Sequence, residues 1–343
     1  MKHKRFFSPH TLRAVWCVTA WLCIGGAPRP VSAQVVELVG SRALGMGGAF
    51  VAVASDSSAT WWNPAGLAAG PFVDVALGSA TVEMSDKLPV WRHKVSWFAL
   101  GTPMVGGSYY RFRITDIQPF DPTGQAGAGR QDRRAGVPVR SLSARQFGVT
   151  LVQALVTDIH VGATLKYVRG TFSEDRDDGL APVSELLDRG EALDEGWNVG
   201  RFDMDVGLLA VAGTLRIGAT MRNVLQPEFG TMRLPRQVRV GVAVDRERVG
   251  GVPLTIAVDA DVTAYRTPTG RRRVVALGGE RWLMAKRVGV RAGARMNTVG
   301  PRERSATAGA SVAIRTGVYV DGHAVRGGSA DDKGWGLAAR VSF

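Results

Sequence analysis

The sequence predicts an all-β fold, a transmembrane antiparallel β-barrel of about fourteen strands with an apolar outside and a polar inside. Three observations predict it. From residue 145 onward, apolar and polar residues alternate with a period of two, in segments of roughly 9–13 residues, the length a tilted strand needs to cross a bilayer. The connections between segments alternate between short and long. The chain also ends on W-G-L-A-A-R-V-S-F, where Trp335, Leu337, Ala339, Val341 and Phe343 share one strand face and Gly336, Ala338, Arg340 and Ser342 the other.

The first 33 residues read as an export signal. Lys2, Lys4, Arg5 and Arg13 form a basic front, and Ala14 to Ala27 a mostly apolar core too short to span a bilayer. Val31-Ser32-Ala33 then offers small residues for cleavage before Gln34. Removal takes five basic residues and no acidic one, so the net charge falls from +13 to +8. Cys17 and Cys23 leave as well, which excludes a disulfide or a thiolate metal site from the mature chain. No run of 18 or more apolar residues remains to form a transmembrane helix. The positive charge is spread along many segments rather than clustered, which argues against a nucleic-acid partner.

Residues 34–71 differ from everything after them. Gly45, Gly47 and Gly48 permit close backbone approach and positive φ. Asp56, Ser57 and Ser58 suit the cap of a short helix, and Asn63-Pro64 before Ala65, Gly66 and Leu67 is turn chemistry. A compact segment of small residues fits inside a lumen.

Residues 72–343 form the barrel. Strands are expected at 72–84, 93–101, 104–115, 145–156, 159–172, 201–212, 214–224, 236–246, 253–265, 271–283, 286–298, 304–316, 317–328 and 335–343. The alternation excludes helices, which at 3.6 residues per turn would smear the charges around the whole cylinder. A soluble sandwich alternates too, but its strands typically run only about 5–6 residues. Connections after even-numbered strands are mostly short, as at Thr157-Asp158, Gly213 and Thr316-Gly317. The two longest, 116–144 and 173–200, follow odd-numbered strands. This matches short periplasmic turns and longer external loops, and an even count returns the C-terminus to the periplasmic side. Trp335, Leu337, Val341 and Phe343 are then the expected insertion signal for barrel-assembly machinery. The recurrent Gly, Ala and Ser of the polar face leave the lumen partly open.

The segment G-S-R-A-L-G-M-G-G-A-F…N-P-A-G-L resembles the hatch motif of the FadL/PorV group of outer-membrane proteins. The match runs through Arg42, Gly45, Gly47, Gly48, Ala49, Asp56, Ser58, Asn63, Pro64, Ala65, Gly66 and Leu67, with Ser57 where the group has a second Asp. A further PorV-like stretch carries Glu280, Trp282, Arg291 and Arg295. The resemblance implies a multi-pass barrel in a Gram-negative-type outer membrane, its lumen plugged by an N-terminal hatch. It implies passive transport of a hydrophobic or amphipathic small molecule, as in FadL-like members, or collection of secreted protein cargo, as in PorV-like ones.

The charges expected in the lumen are Asp203, Asp205, Asp259, Asp261 and Glu280 against Arg216, Arg222, Arg239, Arg291, Arg295 and Arg315. They read either as a polar pathway or hatch-docking ladder, or as cross-strand ion pairs in a wet interior. Loop 173–200 is acidic, and Asp175, Asp177 and Asp178 before Gly179 offer oxygen ligands but miss the EF-hand spacing. Catalysis finds no support. His93, His160 and His323 lack metal spacing, and at about 3.3 Å per residue His160 is too far from Asp203 and Asp205 to act with them. Residues 45–48 lack the Lys-Ser/Thr of a phosphate loop. No enzyme, cofactor or metal is therefore expected, and the membrane lipid itself is an expected partner.

Overall fold

A computed structural model describes residues 31–32, 37–84, 90–117, 137–177, 181–193, 196–229, 232–246, 253–267, 270–328 and 333–343. Most of the expected export signal lies outside them.

Fourteen strands close into one antiparallel barrel. In chain order they are β1 (Asp74–Met84), β2 (Val90–Gly101), β3 (Val105–Ile117), β4 (Val137–Val156), β5 (Ile159–Asp177), β6 (Trp197–Ala212), β7 (Leu215–Arg222), β8 (Gln237–Asp245), β9 (Leu254–Asp261), β10 (Val274–Leu283), β11 (Val288–Asn297), β12 (Arg304–Arg315), β13 (Val318–Gly327) and β14 (Lys333–Ser342). Each pairs with its sequence neighbours. Closure comes from β14 against β1, with Lys333 opposite Glu83 and Ser342 opposite Asp74. Phe343 extends the seam through reciprocal backbone bonds with Val73 of 3.1 and 2.9 Å. No sheet edge is left along this seam, which is what allows a sheet to stand in hydrocarbon.

The barrel is inside out relative to a soluble protein. Leu151, Leu165, Phe202 and Leu337 point outward and are 54–65% exposed, whereas the inward Asp203, Asp205 and Glu280 are buried. One outward register row is wholly aromatic: Phe98, Tyr109, Phe147, Tyr167 and Phe202 lie opposite one another across β2–β6. Ring centroids are 4.7 Å apart for Tyr109 and Phe147, and 5.1 Å for Tyr167 and Phe202.

The expected loops 116–144 and 173–200 are shorter than the sequence reading had them. Strands β4 and β5 run on for 20 and 19 residues and rise above the apolar band as a paired wall. There one face is covered by the segment that follows and the other carries polar pairs such as Arg140 and Glu174 (3.4 Å) in place of the apolar alternation. The acidic segment also holds a helix, α1 (Val183–Ala192). Its Leu186 and Leu187 pack on Val90, Ile117 and Val139, while Asp188 binds Arg92 at 2.6 Å and Glu191 binds Lys94 at 2.6 Å.

Candidate functional site

Residues 37–70 circle the interior and touch strands all the way round. The helix Ser41–Gly45 lies against β11–β13, with Thr307 Oγ1 donating to the Gly45 carbonyl at 3.0 Å. The backbone N–H groups of Phe50 and Val51 both donate to the Asp259 carboxylate of β9, at 2.7 and 2.8 Å. Ser57 N donates to Asp74 of β1 at 2.8 Å, and Thr60 shares a hydrogen bond with Tyr110 of β3 at 2.6 Å. Asn63 caps the 3-10 helix Pro64–Ala69. Its Oδ1 accepts from Ala65 N at 3.2 Å, and its Nδ2 donates to the carbonyls of Val51 (2.8 Å) and of Leu208 on β6 (3.0 Å). One amide thus ties the turn to the segment's own first half and to the wall.

The small residues of the inward face do not hold the lumen open, as the sequence reading supposed. They admit the backbone of this segment. A Cβ on Gly162 would strike Pro64 and Ala65, one on Gly218 the Val51 carbonyl, and one on Gly293 Met46 and Gly47. Gly47 reciprocates: its φ of 70° suits glycine, and a Cβ there would meet Ala294. Trp61 and Trp62 are buried packing residues. Trp61 stacks under the Arg222 guanidinium at 3.6 Å, and Trp62 Nε1 donates to the Val39 carbonyl at 2.9 Å.

Ten of the eleven expected lumen charges are buried and face inward. Glu280 accepts from Arg291 at 2.7 Å and, across the lumen contact, from Arg42 at 2.6 Å; Arg42 also reaches Asp56 at 3.3 Å. Arg239 joins Asp261 to Glu37, both at 2.7 Å. Burial alone would push the Glu37 carboxyl up, but Arg239 and the arginines around it hold it below the usual range. Burial likewise opposes charge on Arg42, and Glu280 outweighs it, raising the guanidinium further. Arg295 donates to Ser305 at 2.9 Å, and Arg216 faces Asp245 at 3.5 Å. Arg315 stands apart: the register of β12 on β13 shifts between Ala313 and Arg315, leaving its side chain exposed. Lys166, which the sequence reading passed over, is fully buried between Asp205 (2.6 Å), Asp203 (3.1 Å) and Asn223 (2.8 Å). Its place on the polar side of the β5 alternation was the available signal.

Asp203 and Asp205 also finish the wall. Ladder pairing of β6 with β7 stops at Val206 and Met221. Beyond it Asp205 accepts from Asn223 N at 2.8 Å and Asp203 from Leu225 N at 2.9 Å, turning the chain inward. Phe229 then packs on Ala144 and Val168 over the outer end of the lumen. His160 lies opposite Leu209, and Asp203 opposite Lys166, six residues along β5. Among the described residues no group of three His, Cys, Asp or Glu is placed to hold a metal. Asp177 binds Arg189 instead, at 2.6 Å, and Asp178 and Gly179 lie outside the described residues.

An apolar hollow of about 850 Å³ lies on the outer side of β4–β8, lined by Leu151, Val161, Ala163, Val206, Leu208, Ala219 and Met221. Gly162 and Gly207 form part of its floor, and the opposite faces of these two glycines touch Asn63, Pro64 and Ala65. A smaller polar cavity of about 400 Å³ opens among Arg42, Arg216, Glu280 and Arg340.

Residues 78–261, more than half of the chain, match the family described as "F plasmid transfer operon, TraF, protein". The chain belongs to that family. The TraF match spans β1 to β9 and leaves the N-terminal segment outside it. No curated protein sequence matches this TraF-family chain. Its fold is that of solved FadL-type barrels. The Ralstonia pickettii toluene transporter TbuX superposes with a TM-score of 0.62 at 15% identity, covering 90% of this chain and 99% of that one. The monoaromatic hydrocarbon channel CymD gives 0.61 at 12% identity, covering 91% and 99%. A Pseudomonas aeruginosa FadL homologue gives 0.60 at 9%, covering 91% and 100%.

Proposed function

We propose that this protein is an outer-membrane barrel for passive transport of hydrophobic or amphipathic small molecules, with residues 37–70 as its hatch. An exterior of exposed leucine, valine and phenylalanine around a buried charged interior is stable only against hydrocarbon. The observation that carries the transport reading is the apolar hollow whose floor backs directly on Asn63-Pro64-Ala65. A greasy molecule seated there is one strand's thickness from the turn that closes the lumen. The barrels it resembles in fold include a toluene transporter and a monoaromatic hydrocarbon channel, which agrees with such a cargo.

The alternative, collection of secreted proteins, rested on the stretch from Leu277 to Arg295. Inside the barrel Glu280 of that stretch is spent on Arg42, and Arg291 on Glu280, which favours the small-molecule reading. The test is uptake of labelled toluene and a labelled fatty acid by cells with the gene, without it, or carrying Ala163→Trp, which fills the hollow from the lipid side. Uptake should fall in both altered strains with barrel abundance unchanged in the variant. Equal uptake with and without the gene for every compound sinks the proposal.

A further inference from the structure

Three arginines on the outward face of β3, β4 and β5 stand in one register row. Arg111 lies directly opposite Arg145, and Arg145 directly opposite Arg169. All three are exposed. Five described acidic residues of the rim above them are paired with other cations: Glu83 and Asp188 with Arg92, Glu191 with Lys94, Glu174 with Arg140 and Asp177 with Arg189. Like charges facing each other across neighbouring strands, with Cβ atoms about 4.5–5.5 Å apart, destabilise a sheet. An anion bridging the row reverses the sign of that contribution.

The depth of the row identifies the anion. Two residues toward the barrel's middle, on the same face of the same strands, runs the aromatic row through Tyr109, Phe147 and Tyr167. The next row, through Val149 and Leu165, is aliphatic. Aromatic belts mark the boundary between hydrocarbon and headgroups. A further step of two residues, about 6.6 Å along the strand, therefore puts the guanidinium groups among headgroup phosphates. This is the end opposite the short turns at 157–158 and 213, hence the external leaflet. Ser96 and Gly200 flank the row; Ser96 is small, and the Tyr167 ring from the aromatic row lies over Gly200. Guanidinium groups match phosphate oxygens in bidentate geometry, which lysines do not.

We infer that Arg111, Arg145 and Arg169 form a binding site for the phosphate of an external-leaflet phosphoglycolipid, with its acyl chains lying on the aromatic row and the apolar wall beneath. This rests on the outer-membrane reading. The test is native mass spectrometry of the full chain in detergent with diphosphorylated lipid A, with the same lipid dephosphorylated, and with inorganic phosphate. The wild type should retain the diphosphorylated lipid. R111Q/R145Q/R169Q should lose about tenfold or more in affinity, since three charge-assisted contacts go at once. R315Q, at the opposite end of the barrel, should bind as the wild type does. Heat-modifiable migration on gels reports folding, and R145Q alone, at the centre of the row, carries the test if the triple variant does not fold. Equal retention by R145Q and wild type, equal binding of the dephosphorylated lipid, or displacement by equimolar inorganic phosphate each overturns the inference. A wild-type barrel that does not insert into vesicles overturns the membrane reading itself; one that inserts without preferring the phosphorylated lipid overturns only this site.

Discussion

The two sides of the barrel hold the N-terminal segment by different means. On the β10–β13 side the grip is ionic: Arg42 is forked onto Glu280, which is itself fixed by Arg291. On the β5–β6 side the grip is steric and amide-mediated. Gly162 and Gly207 let Pro64 and Ala65 lie against the strand backbone, and Asn63 donates to the wall at the Leu208 carbonyl. The first arrangement is costly to break and fixed in direction. The second is lightly held and directly behind the apolar hollow. If the segment moves as a hatch, it pivots on Arg42 and lifts at Asn63.

The largest effect should therefore come from the ionic side. Glu280→Ala removes the carboxylate between Arg42 and Arg291, leaving Arg42 only Asp56 at 3.3 Å and Arg291 only Asp321 at 3.9 Å among the described residues; loss of one member of a buried pair typically costs about 3–5 kcal/mol. The thermal unfolding midpoint of the detergent-solubilised barrel should drop well below that of any variant on the opposite side. A smaller drop than for Asn63→Ala would reverse the assignment of clamp and free end.

Asn63→Ala comes next. It removes the donor to the Val51 and Leu208 carbonyls and the acceptor for Ala65 N. Unsatisfied buried groups of this kind cost about 1–3 kcal/mol. The loss should fall on the segment and leave the barrel intact. Limited proteolysis should cut within residues 50–70 sooner than in wild type, while heat-modifiable migration stays unchanged. A variant that no longer inserts would show that the turn builds the barrel rather than closing it.

Much of this architecture was legible beforehand because the membrane imposes a period of two that nothing else erases. Strands such as β8 and β11 were found to within a residue or two from Val238–Val244 and Val288–Met296. The extensions of β4 and β5 were missed because Arg140, Ser141 and Glu174 lie above the apolar band, where the alternation of apolar and polar residues lapses. Helix α1 was missed because its apolar face, Leu186 and Leu187, is short and sits among acids that read as solvated loop. The interior charges were visible, but not their partners: the contact of Arg42 with Glu280 joins residues 238 apart. The glycines of the polar face were visible too, yet alternation cannot tell an empty lumen from one filled by another stretch of chain. Arg315 was misplaced because a register shift of one residue flips every side chain beyond it, and no sequence signal announces that bulge.

The smallest effect is expected at Ser57, where the FadL/PorV pattern has an acidic residue. The bond that ties this point of the segment to β1 runs from the Ser57 backbone N–H to Asp74, and a change of side chain leaves that N–H in place. Ser57 is buried, and its hydroxyl has no hydrogen-bond partner among the described residues. Ser57→Ala should thus shift stability by no more than about 0.5 kcal/mol, since it removes a buried polar atom without removing a bond. Ser57→Asp should be worse than Ser57→Ala, because it sets a new carboxylate beside those of Asp56 and Asp74. Comparing unfolding midpoints of the two variants separates the roles. If Ser57→Ala proves as damaging as Asn63→Ala, the seam at β1 is held by side chains after all, and the segment has a further firm anchor beside those at Glu280 and Asp259.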